Sequence, residues 1–288
     1  MSEFALIDRF FKRVPRDAAV RIGIGDDAAV ITPSAGMELA ASVDMLVEGR
    51  HFLQGSDPVR LGHKTLAVNL SDMAAMGATP RWALLAGALP DEDPEWIAAF
   101  MSGFEALATA FNVELVGGDT TRGPRNLCVT ILGEVPAGTA LTRVGANVGD
   151  DVYVSGTLGD AAAALAGLTS RTRFEAETLA TLRLRLEAPT PRVALGSTLR
   201  GIATSCIDVS DGLVGDLGHI LEASSAGAHL SLALIPRHPA VDAKLAGPER
   251  SAALQWLLAA ATITSCASRR RAPPPVASKR WRRSSRCR

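Results

Sequence analysis

An α+β chain of two domains is what the sequence predicts, and three observations predict it. Stretches of helical and strand periodicity alternate, but the strands fall next to one another in pairs that can close as hairpins. That arrangement favours α+β layers over a doubly wound parallel sheet. A Gly- and Asp-rich stretch, ANVGDDVYVSG at 146–156, then opens a second set of the same elements. The 288 residues also suit two domains of ordinary size. The expected division is an N-terminal domain over 1–145, a C-terminal domain over 146–260, and a tail over 261–288.

The elements follow in order. Phe4, Leu6, Ile7, Phe10, Phe11 and Val14 recur at helical spacing, so a helix is expected over about 3–13. GIGDDAAVI (23–31) reads as a turn running into a short strand, and MELAASVDM (37–45) as a strand. Helical spacing returns over 59–78 and stops at Gly77. RWALLAGALP is a buried strand closed by Pro90, and PEWIAAFMSGFEALATAF is an amphipathic helix. VELVGGDTT, read as ending in a Gly-Gly turn, and LCVTILGEV complete the first set of strands. In the second set a strand is followed by a small-residue helix from Asp160. Helices at about 174–187 and 191–200 precede the strand ATSCIDVS. SDGLVGDLGHILEAS is a helix, and AHLSLALIP is expected to be a strand.

The bulk numbers exclude several functions. Apolar residues make up 47% and charged residues 21%, as in a water-soluble globular chain. Lys plus Arg and Asp plus Glu both count 30, yet the charge is unevenly placed. Residues 269–288 hold nine Lys or Arg and no acid, so the rest carries 21 bases against 30 acids. An acidic body lacks the basic face that phosphate backbones need, so no nucleic-acid partner is expected. No apolar run approaches the ~18 residues of a membrane span. The N-terminus has acids among its apolar residues, unlike a signal peptide. A cytoplasmic protein with no membrane partner is expected. The four cysteines are scattered without CxxC spacing, as inert thiols in a reducing compartment would be.

The acids stand where chemistry is done. Asp26 and Asp27 lie in GIGDDAA, Asp44 in the strand ASVD, and Asp72 on an otherwise apolar helix face. Asp119 follows two glycines in GGDTT, and Asp208 and Asp211 lie in IDVSDG. Any one of them alone is equally a turn residue or a helix cap. Asp72 is less easily absorbed that way, because a carboxylate among Leu, Met and Ala costs desolvation unless a cation or donor meets it. Converging carboxylates need counter-cations, and hard oxygen ligands suit Mg²⁺. Such a cluster beside Gly turns that admit phosphates is what phosphoryl transfer requires. The chain has no GxxxxGK[ST] loop and no kinase-type HRD or DFG set.

Six ordered stretches together resemble the thiamine-monophosphate kinase family, related in fold to aminoimidazole ribonucleotide synthetase and selenophosphate synthetase. They are GIGDDAAV, VDMLVEGRHF, KTLAVNLSDMAAMGATP, VGGDTTRG, ALTRVGANVGDDVYVSGTLGDAAAAL and IDVSDGLVGDLGHI. The resemblance runs from the N-terminus to about Ala259. A selenophosphate synthetase would carry a reactive Cys near the N-terminus, and the first cysteine here is Cys128. The resemblance implies ATP and thiamine phosphate as substrates, thiamine diphosphate and ADP as products, Mg²⁺ as cofactor and a homodimer paired through first-domain strands. It implies Asp27, Ser42, Asp44, Asp72, Asp119, Asp208 and Asp211 as Mg²⁺ ligands. Gly118, Arg143 and Ser210 are implied as ATP contacts, and His51 as a substrate contact. Direct transfer implies no covalent nucleophile. Two readings compete with this one. One is another ATP-dependent enzyme of the same superfamily. The other is a non-catalytic binder of nucleic acid or membrane surfaces through its basic tail.

Two departures stand out. The family usually has Ser-Thr-Asp where this chain has Ser42-Val43-Asp44, so a hydroxyl expected on Mg²⁺ is absent. After the LQWLL-like helix the family continues with a stretch resembling GDDYELCFTAP, where this chain has ATITSCASRRR (261–271). Written in GC-rich codons, the family stretch read one nucleotide late translates as ATITSCASRRR. The resemblance therefore implies a shifted reading frame from about residue 261. It also implies a disordered basic tail over 261–288, a second-domain sheet short of partners, and impaired activity.

Overall fold

The computed structural model describes residues 5, 7–91, 93–259 and 265–271, the last group by backbone alone. Of the expected N-terminal helix, one wide helical turn at Ile7–Phe11 is described, and Glu3, Phe4 and Leu6 lie outside the described residues.

A short antiparallel pair, β1 (Val20–Ile22) and β2 (Val30–Ile31), precedes the main sheet. The main sheet has four strands: β3 (Met37–Val47), β4 (Thr79–Leu89), β5 (Glu114–Arg122) and β6 (Asn126–Pro136). Their order is β3-β6-β4-β5. The β3–β6 and β4–β6 pairs are antiparallel and the β4–β5 pair is parallel. The parallel pair requires a crossover, which is α2 (Pro94–Ala110), packed on α1 (Pro58–Ala75). Both helices start with an Asp that accepts backbone N–H bonds, Asp57 and Asp93, followed by Pro in the first turn. α1 ends at Met76, and Gly77 turns the chain at a φ of 64°.

The helices cover one face of this sheet. Leu66, Leu70, Phe104, Val129 and Ile131 lie at the centre of the core, at or near zero exposure. β1 and β2 cover part of the opposite face, over Trp82 and Val116. The edge strand β3 leaves Leu39, Val43 and Met45 on that face 51–59% exposed.

The second set comprises β7 (Asp150–Val154), α3 (Asp160–Leu168), α4 (Ala176–Glu187), α5 (Val193–Leu199) and β8 (Ala203–Val209). α6 (Leu213–Ala223), α7 (Pro239–Ala246), α8 (Arg250–Ala259) and β9 (Ser265–Arg271) complete it. A second apolar cluster forms here around Leu158, Leu182, Val209, Leu213 and Leu257. The α+β expectation holds, with mostly antiparallel strands and helices packed against them.

Three expectations need correction. Gly117 and Gly118 do not turn the chain. They lie inside β5, where pairing with β4 skips Val116 between Leu115 and Gly117. A bulge absorbs the extra residue. AHLSLALIP is not a strand but contains a single 3₁₀ turn at Leu232–Leu234. The disordered tail expected from residue 261 does not hold for Ser265–Arg271. They form β9, the middle strand of the three-stranded sheet β7-β9-β8, antiparallel to both neighbours. A ladder is built from backbone N–H and C=O groups, so pairing places few demands on the side chains of this segment. The rest of the tail lies outside the described residues.

Candidate active site

α1 carries the centre of the site. Its sequence KTLAVNLSD places polar residues on a helix that is buried nearly all round: Lys64, Thr65, Asn69 and Ser71 are each under 5% exposed. Such residues must find partners, and they find them on β3, β8 and the turn after β3. Ser42 donates to an Asp72 carboxylate oxygen at 2.5 Å. Asn69 accepts the backbone N–H of Asp44 at 3.1 Å and donates to Thr65 O. Ser71 donates to Asp208 Oδ2 at 3.1 Å. α1 therefore links the edge strand of the first sheet to an edge strand of the second.

Three expected ligands, Asp44, Asp72 and Asp208, are thus brought within electrostatic reach of one another. Burial, with Asp208 nearby, raises the Asp44 pKa. Burial pushes Asp72 up to about 6, with Asp44 adding and Ser42 and Arg143 opposing. Asp208 is also pushed up to about 6, by burial and then Asp72, against the Ser71 hydrogen bond and Arg143. Each acid raises another, so the group lacks positive charge. Arg143, the expected ATP contact, acts on both Asp72 and Asp208.

The donor set is oxygen throughout, which fits a hard cation. Among the described residues no three His, Cys, Asp or Glu groups converge closely enough to hold an ion by themselves. An ion there would take one or two carboxylates and fill its shell with water and phosphate oxygens, the habit of Mg²⁺.

Asp211 and Ser210 follow β8 in a loop held by Asp216, whose Oδ2 accepts the backbone N–H groups of Ser210, Asp211 and Gly212 at 2.9–3.1 Å. Asp216 is 3% exposed, and burial raises its pKa against those three bonds. The sequence pattern pointed to Asp208 and Asp211 and missed Asp216. Its signal was an acid in the first turn of α6.

Two further expected ligands, Asp27 and Asp119, and the expected ATP contact Gly118 are elsewhere. Asp27, Gly118 and Asp119 line a separate cavity of about 530 Å³ between the 23–29 loop and β5. Gly118 cannot carry a side chain, since a Cβ there would meet Leu85 O at 1.9 Å. In the sheet register Asp44, Val129, Leu85 and Gly118 form one row. Three strand spacings, about 14 Å, separate its ends. One chain therefore holds the expected ligands in two groups at opposite sheet edges. Val43 faces away from Ser42 and Asp44 along the alternating strand, so its missing hydroxyl is not taken from the Asp72 group.

His51 stands at a third place, in the turn after β3, lining a cavity of about 270 Å³ with Arg50, Leu53, Lys64, Leu168 and Glu187. Its Nδ1 accepts the Val47 backbone N–H at 2.9 Å. The neutral ring therefore carries its proton on Nε2. Burial, with Lys64 and Arg50 nearby, lowers its pKa.

Residues 25–135 match the model of the AIR synthase related protein, N-terminal domain. The thiamine-monophosphate kinase of Salmonella typhimurium is 46% identical over 258 residues, covering 89% of this chain and 78% of the relative. This chain belongs to the thiamine-monophosphate kinase family. The Bacillus subtilis kinase is 37% identical, over 83% of this chain and 75% of its own length.

The crystal structure of the Stenotrophomonas maltophilia kinase superposes with a TM-score of 0.85 at 44% identity, covering 94% of this chain and 87% of that one. AaThiL, solved with AMPPCP and TMP, gives 0.74 at 28% identity, covering 83% and 77%. The hydrogenase maturation protein HypE shares the fold at 21% identity and a TM-score of 0.72. Membership in the kinase family sets aside the reading of a protein that works only through a basic tail.

Proposed function

We propose that this protein transfers the γ-phosphoryl group of ATP to thiamine phosphate, giving thiamine diphosphate and ADP. The observation that carries the reading is the buried, mutually repelling group of Asp44, Asp72 and Asp208 in a chain 46% identical to a thiamine-monophosphate kinase. Mg²⁺ held by these acids would neutralise the phosphates and align donor and acceptor, the main work of phosphoryl transfer. Arg143 supplies a fixed positive charge, and Asp216 shapes the Ser210–Gly212 loop. His51 offers an Nε2–H to the acceptor.

A homodimer is part of the proposal. The open apolar stripe of Leu39, Val43 and Met45 is a natural contact for a second copy. A two-fold axis along the strands would set β3 of one copy against β5 of the other. That would unite the acid group at β3 with the Asp27, Gly118 and Asp119 group of its mate. No helix among the described residues is long and apolar enough to cross a membrane.

The frame-shift reading of ATITSCASRRR stands beside this, with reduced turnover expected for the 288-residue chain. The test is thiamine diphosphate formation by the purified protein with ATP, Mg²⁺ and thiamine phosphate. A parallel sample carries GDDYELCFTAP at 261–271. Product in the restored chain, and less in the present one, supports both readings. Absence of product in both overturns the activity.

A further inference from the structure

Lys64 is a buried ammonium that the proposed chemistry does not use. It is 3% exposed, and lysine is almost never fully buried without a partner. Among the described residues no carboxylate lies within ion-pair distance of it. Its polar contact is the backbone carbonyl of His51, which it meets with Nζ at 2.8 Å. Glu187 attracts it at longer range, and burial brings its pKa down to about 8. A methionine would fill the same space without that cost, so the charge must return something.

What it returns is the shape of the turn. After β3 the chain folds back on itself: Arg50 and His51 donate their backbone N–H groups to Val47 O, and Gly49 donates to Phe52 O. Gly49 sits at a φ of 77°. The Val47 N–H to His51 Nδ1 bond closes the ring side. All these bonds tie the turn to itself or to β3. Lys64 is the bond that ties it to α1, the helix that also carries Asp72.

We infer that Lys64 is a positioning residue that pins the His51 turn to α1 and so fixes where the His51 Nε2–H points. The catalytic consequence rests on the reading of His51 as a contact of thiamine phosphate. The anchoring itself does not.

The experiment compares wild type, Lys64→Met and Lys64→Arg in the full chain, with His51→Gln used to assign the His51 signal. Imidazole nitrogen NMR reports the His51 tautomer without turnover. Wild type is expected to show a hydrogen-bonded, unprotonated Nδ1 and a protonated Nε2. Lys64→Met is expected to melt no lower than wild type, having lost the cost of the buried charge, but to show an averaged tautomer, while Lys64→Arg, still a donor, keeps the wild-type pattern. In kinetics Lys64→Met is expected to raise KM for thiamine phosphate about tenfold, the size of one lost charged hydrogen bond. The kcat and the KM for ATP should stay within about twofold. An unchanged His51 signal in Lys64→Met overturns the inference. If the signal changes in protein that makes no thiamine diphosphate, the anchor stands and the proposed activity falls.

Discussion

At the scale of single residues, charge burial sets the behaviour. Lys64 titrates near 8 in the folded chain against an ordinary 10.5, because burial disfavours its charged form. Unfolded chain therefore binds more protons than folded chain between those values, and stability rises with pH across the window. The ceiling is about 3 kcal/mol. The charged and titratable groups that line the same cavity as Lys64 are His51, Arg50, Asp57, Arg60, Arg171 and Glu187. Denaturant unfolding at pH 8 and pH 9.5 should show the gain, and Lys64→Met should abolish it.

Asp72 and Asp208 behave in the opposite sense. Their folded pKa values, about 6, lie above the ordinary 3.8. Their contribution to stability is full below 3.8 and lost as pH rises through 6. A bound cation reverses this, so Mg²⁺ with an ATP analogue should raise Tm clearly at pH 7.5 and much less at pH 5.5. Asp72→Asn should raise the metal-free Tm, blunt the Mg²⁺ response and cut kcat by about a hundredfold or more. Equal Mg²⁺ responses at both pH values would remove the acid group as the metal site. Asp72 was legible in the sequence because a carboxylate on an apolar helix face is conspicuous, and Asp208 because it lies in the family stretch IDVSDGLVGDLGHI. Lys64, Asn69 and Asp216 were not, because each acts on backbone atoms that the fold brings to it.

At the scale of elements, close packing of α1 on α2 is the tightest constraint. A Cβ at Gly62 would fall 1.9 Å from Phe100 O, and one at Gly103 would fall 1.8 Å from Val59 O. The two backbones touch, so no rotamer change relieves the clash. Gly103→Ala should cost about 3 kcal/mol, read as a lower urea midpoint with unchanged slope, whereas Gly138→Ala tests the cost of a positive φ alone, since nothing lies near its Cβ. Long elements such as α1, α2, β3 and β6 were legible because periodicity over nine or more residues outweighs local noise. AHLSLALIP failed because an apolar run of strand length carries no information on whether a neighbouring strand has a free edge. VGGDTT failed because Gly-Gly marks a turn and a bulge alike.

At the scale of the whole molecule, the sheet width separates Asp44 from Gly118 and Asp119. The proposed dimer follows from that separation and from the open face at β3. Leu39→Glu places a charge on that face, 51% exposed in the single chain, and away from the acid group. Light scattering should give a dimer for wild type and a monomer for Leu39→Glu, with activity lost alongside. A wild-type monomer with full activity would show that one chain completes the site.

The sequence by itself determined the family and the α+β class and singled out the acids that the proposed chemistry uses, because those depend on local patterns and on residue types that are costly to misplace. Only the tertiary structure decided how the acids are grouped, which polar side chains hold them, and that Ser265–Arg271 form the middle strand between β7 and β8. Register, edge position and backbone-to-side-chain bonds join residues tens of positions apart. The free energy that selects them comes from packing the whole chain, which no single stretch contains.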